Sequence, residues 1–156
     1  MNKIEISNSS KAIDKKDIER LEEKYGFTFP EEYKAFLLKN NGGVPSNIYF
    51  STKNGKIFDI LTRFFPIDIN DEYSLQSEIE EITLEGLLPK ELIPIAITVG
   101  DSDRVLLSIT GKNYGKVYHW NWGAEDENAE ASYKFIEPVA DSFNEFLNLL
   151  TDTRDV

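Results

Sequence analysis

Apolar residues recur along this chain with two periods, and the period changes with position. From Asp14 to Tyr25 the apolar positions Ile18, Leu21 and Tyr25 follow at helical intervals, with Asp14 as N-cap and Gly26 just past the end. That spacing predicts an amphipathic helix. Thr28-Phe29-Pro30-Glu31-Glu32 then puts proline and two acids where a helix begins. Proline lacks only an N–H that would find no intrahelical partner, and carboxylates suit the positive end of the helix dipole. A second helix follows to about Asn40, with Tyr33, Phe36 and Leu37 as its inward stripe. Asn40-Asn41-Gly42-Gly43 stops it, because these residues tolerate left-handed backbone.

Beyond that stop the pattern becomes that of a sheet. Ile48 to Phe50 and Ile57 to Leu61 are strand-like, and Asn54-Gly55 between them predicts a two-residue type I′ hairpin. Asp71 to Glu85 carries Leu75, Ile79 and Ile82 at helical intervals and predicts a helix with an acidic outer face. Three strands follow: Ile93 to Thr98, Arg104 to Ile109 and Lys116 to Trp120. Gly100 to Asp103 and Gly111 to Gly115 supply the turns between them. Asn121 to Ser132 is the longest irregular stretch, either a mobile surface loop or a binding loop. Ser142-Phe143-Asn144-Glu145 is a capping box that opens a last helix, with Phe143, Phe146, Leu147 and Leu150 on the face expected to dock on the sheet. Helices first, hairpins in the middle and a helix last make the expected fold α+β. It has two N-terminal helices, a central mostly antiparallel sheet and a C-terminal helix packed on it. No repeat or linker divides residues 1–156, so a single domain is expected.

Composition narrows the function classes. The 156 residues include 28 acids against 17 bases, a net charge of -11, and 40% are hydrophobic, enough for a true core at this length. The lack of cysteine excludes a disulfide scaffold, a thiolate metal site and a cysteine nucleophile, and it fits the cytoplasm. The longest apolar stretch, Leu92 to Val99, falls far short of the roughly 20 residues of a bilayer span, so no membrane partner is expected. Nor is nucleic acid, since the overall charge repels polyanions. The acid is unevenly spread. Up to Arg63 there are eleven bases and nine acids; from Phe64 on there are six and nineteen. This second part is either a solvated face that keeps the protein soluble or a docking surface for a basic protein.

Catalytic chemistry finds little to work with. His119 is the single histidine and alternates in its strand against Tyr118 and Trp120, a sheet-surface position; no serine lies in a nucleophile elbow. Asp101-Ser102-Asp103 begins like a calcium loop, but the glycine at position six and the glutamate at position twelve are missing. No metal site, cofactor or catalytic residue is therefore expected. Tyr114, Tyr118, Trp120 and Trp122 could stack bases, yet the neighbouring acids oppose phosphates; core packing with one exposed aromatic anchor fits them better.

Ile18 to Glu22, the run from Tyr25 to Leu37 and Asn40-Asn41-Gly42-Gly43 together resemble the opening signature of the SUKH superfamily, the Smi/Knr-type domains. Leu92 to Ala96, Gly100 to Asp103, Gly115 to Trp120 and Ala140 to Leu147 resemble its later blocks in order. The resemblance spans about Asp14 to Leu150; Phe29 departs from it, standing where leucine usually precedes the proline. It implies an α+β domain without catalysis. Bacterial members are immunity proteins that neutralise toxins, often nucleases, and fungal relatives act in cell-wall synthesis regulation. On this reading the partner is a basic protein toxin, a nuclease being the candidate. The expected contact residues are Tyr114, Trp120, Trp122, Glu125, Asp126, Glu127, Glu130, Asp101 and Asp103, unless the Asn121 to Ser132 loop covers the aromatics. The alternative is a regulatory or scaffold module without a toxin.

Overall fold

The computed structural model describes residues 4–68, 70, 73–100 and 102–153. A short strand β1 (Ile6–Ser7) leads into α1 (Lys15–Tyr25), whose Asp14 cap exchanges hydrogen bonds with Asp17 while Gly26 closes the helix in left-handed backbone. Helix α2 (Glu31–Lys39) starts after Pro30, which is the cap itself instead of the first helical residue, and buries Tyr33, Phe36 and Leu37 as expected. Its exit is a bolt. Asn41, 3% exposed, donates to the Lys11 and Ile67 carbonyls and accepts the Ile67 N–H. Gly42 (φ 72°) and Gly43 (φ 115°) let β2 (Val44–Pro45) turn onto β1. A Cβ on Gly42 would lie 2.7 Å from the Pro66 nitrogen.

Six antiparallel strands then form one sheet in chain order: β3 (Tyr49–Ser51), β4 (Phe58–Phe64), β5 (Leu92–Thr98), β6 (Arg104–Ser108), β7 (Val117–Trp120) and β8 (Ile136–Ala140). The β3–β4 hairpin has a four-residue loop, not the expected two-residue turn. Thr52 and Ile57 close it at 2.9 Å, and only Gly55 takes positive φ, because Asn54 spends its side chain on Thr52 and the Lys56 N–H. The expected helix over 71–85 is shorter. Helix α3 (Leu75–Glu78) is capped by Ser74 and widens into a π-turn over Ile79–Thr83, with Leu84 N–H bonded to the Ile79 carbonyl at 2.9 Å. Asp71 and Glu72 lie outside the described residues.

The sheet is covered on both faces. On one side α1, α2 and α4 (Phe143–Leu149) pack an aromatic core around Phe29, Tyr33, Phe36, Phe50, Phe64, Phe143 and Phe146. On the other, the segment around Ile82 and Leu88 covers Leu92, Leu106, Tyr118, Trp120 and Ile136. Every residue of β5, β6 and β7 is therefore buried, which explains why β5 reads as an unbroken apolar run. Alternation turns Val117 and His119 to the aromatic core, and Tyr118 and Trp120 to the second cluster. His119 is thus fully buried, a correction to its expected place on the sheet surface. Both outer margins of the sheet are occupied by the chain itself. Thr151 exchanges hydrogen bonds with Tyr49 on β3, and Lys53 donates to the Pro138 carbonyl on β8.

Candidate functional site

The acids of the later chain separate into two groups. Several are used internally. Glu78 stands three residues after Leu75, on the buried face of α3, and meets the Arg104 Nε at 2.6 Å with both side chains 5% exposed. Burial raises the Glu78 carboxyl above its ordinary range, against the downward pull of that guanidinium. Glu80 accepts from the Tyr25 hydroxyl and pairs with Lys24 at 3.2 Å, tying the π-turn after α3 to α1. Glu91 accepts from Tyr133, and Asp141 pairs with Lys53. Of these, Glu78 corrects the sequence reading, which gave the 71–85 helix an acidic outer face.

Asp126, Glu127 and Glu130 form the other group. They are exposed, and among the described residues no lysine or arginine pairs with them. They lie on the connection from β7 to β8, which is braced along its length. Asn121 N–H bonds to the Phe135 carbonyl at 2.9 Å, a single 3-10 turn spans Trp122–Ala124, and Ala129 N–H closes on Asp126. Trp122 stacks on Trp120 at 4.8 Å and 11°, and the Arg104 guanidinium lies 5.2 Å from the Trp122 ring. Trp120 donates its indole N–H to Glu125 at 2.8 Å. Trp120, Trp122 and the acids Glu125, Asp126, Glu127 and Glu130, with Leu87 and Ala129, frame a cavity of about 240 Å³.

Of the expected contact residues, the fold gathers Trp120, Trp122, Glu125, Asp126, Glu127 and Glu130 in one place. Trp120 is 1% exposed, so it is a support beneath the loop and not an exposed anchor. Tyr114 is elsewhere, in the turn at the opposite end of the β6–β7 hairpin, where its hydroxyl donates to the Thr28 carbonyl beside an open cleft of about 530 Å³. Asp103 faces the other side of the sheet, and Asp101 lies outside the described residues. Sequence reasoning missed Glu78, Arg104 and Leu87. A charge opening the buried run from Arg104 to Ile109 was the available signal for Arg104.

A second constellation joins residues the sequence keeps far apart. His119 Nε2 lies 2.8 Å from Asp59 Oδ2 and 3.6 Å from Asp103 Oδ2, and the three ligand-type atoms fall within 4.8 Å of one another. Asp59 interrupts the apolar run Ile57 to Leu61, which was its only sequence signal.

No helix of the described residues is long and apolar enough to cross a membrane. Among curated proteins no relative matches the chain. The span from the capped α1 and the Phe29-Pro30 entry to α2, through the Asn41-Gly42-Gly43 bolt, to α4 docked on the sheet lies within the match to one family model. That model, the SMI1 / KNR4 family (SUKH-1), matches residues 12–149, and the chain belongs to this family.

Proposed function

We propose that this protein is a non-catalytic binding domain, one domain over residues 1–156, that neutralises a basic protein toxin in the cytoplasm. A nuclease is the partner class whose charge fits best. The observation that carries the reading is the braced loop that holds Asp126, Glu127 and Glu130 exposed and, among the described residues, without basic partners. An active site built for phosphate is cationic, so carboxylates presented to it steer encounter and can raise association toward roughly 10⁸ M⁻¹s⁻¹ at low salt. Membership in the SMI1 / KNR4 family supports the domain kind. A loop already ordered by internal hydrogen bonds loses little conformational freedom on binding, which favours affinity.

The test is co-purification with the product of the adjacent gene, followed by association rates across a salt series. Binding that slows steeply with salt, and slows again when Asp126, Glu127 and Glu130 are each replaced by lysine, supports the proposal. A salt-independent rate, or a complex whose contacts are confined to α1 and α2, overturns it in favour of the regulatory-module reading.

A further inference from the structure

We infer that Asp59, Asp103 and His119 form a weak divalent-metal site, for which zinc is the best-matched ion, at the end of the curved sheet. Two carboxylates, one from β4 and one from the turn before β6, converge on a single imidazole nitrogen of β7. That nitrogen carries one proton at most and can satisfy only one of them. Asp59 takes it at 2.8 Å; its other oxygen is fixed by the Ile60 N–H at 2.8 Å. Asp103 Oδ2 is left at 3.6 Å, its other oxygen accepting only from the Ser102 hydroxyl at 3.3 Å. Among the described residues no ion pair joins either carboxylate to a lysine or arginine. Two carboxylates thus face each other across one imidazole nitrogen, an arrangement that a bound cation can join.

The dimensions suit such an ion. A tetrahedral zinc bound at about 2.1 Å keeps neighbouring ligand atoms about 3.4 Å apart. The observed separations of 2.8 and 3.6 Å bracket that distance, and all three ligand atoms lie within 4.8 Å of one another. Imidazole with two carboxylates is a nitrogen and oxygen set that zinc accepts and that magnesium, which favours all-oxygen shells, does not. His119 is held rigidly, fully buried and 6.2 Å from the Phe50 ring. Asp59 and Asp103, 15% and 21% exposed, give the ion an entry path and leave a position for water. The ring's other nitrogen, Nδ1, has no hydrogen-bond partner among the described residues. Metal-bearing imidazoles ordinarily hand that N–H to an acceptor, and its lack weakens a site by about 10- to 100-fold.

The experiment is zinc chloride titration of the full chain by calorimetry, with magnesium chloride as the control and cobalt(II) absorption as a report on coordination. One equivalent of zinc should bind, raise the melting temperature and be removed by chelator, with no comparable response to magnesium. Asp103→Asn and Asp59→Asn, each checked for native circular dichroism, should weaken binding more than about tenfold, the loss that even an outer-shell partner causes. Absence of zinc uptake by the unaltered chain overturns the site. So does uptake unchanged in both folded asparagine variants, which would leave a plain histidine–aspartate hydrogen bond.

Discussion

Tyr33 carries the one side-chain hydroxyl that is buried without a hydrogen-bond partner among the described residues. Its ring contacts Phe29 and Phe143 at 5.5 and 5.2 Å, and removing the hydroxyl leaves those contacts intact. Tyr33→Phe should therefore stabilise the fold by about 1 kcal/mol, seen as a higher denaturant midpoint at unchanged slope. A lower midpoint would show that the hydroxyl is satisfied in solution. Asn41 is the opposite case. Asn41→Ala strands the Ile67 N–H and two carbonyls, at a cost of about 3 kcal/mol in the same assay. Glu80 gives a pH signature. The Tyr25 hydroxyl, and then Lys24, lower its carboxyl below the ordinary 4.5. Its stabilisation is present above that value and fades as pH falls through the lowered one. The stability gap between the native chain and Glu80→Gln should accordingly be open at neutral pH and closed in acid.

At the level of elements, the Glu78 and Arg104 pair joins α3 to β6 inside the molecule. Glu78→Ala removes the buried carboxylate that meets the Arg104 Nε and should cost about 3 to 5 kcal/mol in chemical denaturation. The pairing also shows where sequence reading stopped. Helices α1, α2 and α4 were legible because their caps and their 3.6-residue stripes agree. Strands β5 to β7 were legible because β-branched and aliphatic runs sit between glycine turns. Strand β8 was not, since Glu137 and Pro138 break its pattern, and a proline is tolerated there only because the strand is at the margin. The 71–85 helix was half legible: its apolar stripe was read, while the place of Glu78 on that same stripe was not. In the candidate site the run Glu125 to Glu130 was visible as charge. The inward turn of Trp120, and the meeting of Asp59 with His119 sixty residues away, depend on strand order that no local pattern encodes.

For the whole molecule, the distribution of charge matters more than its total. The first 63 residues are near neutral and supply most of the helical layer, whereas Asp126, Glu127 and Glu130, with no basic partner among the described residues, lie on the β7–β8 connection. Reversing Asp126, Glu127 and Glu130 to lysine removes charge from a surface with little packing. Stability should therefore change by no more than about 0.5 kcal/mol per site, while capture of a cationic partner slows at low ionic strength. Thermal melts beside stopped-flow rates separate the two effects.

The seam by which Thr151 clasps β3 has a consequence for longevity at high concentration. A β-ribbon whose rim is already bonded offers no template on which a neighbouring molecule can add itself, the first step toward fibrils. Ending the polypeptide at Leu149 would unzip that rim, and thioflavin fluorescence should then climb on gentle agitation while the untruncated chain stays dark.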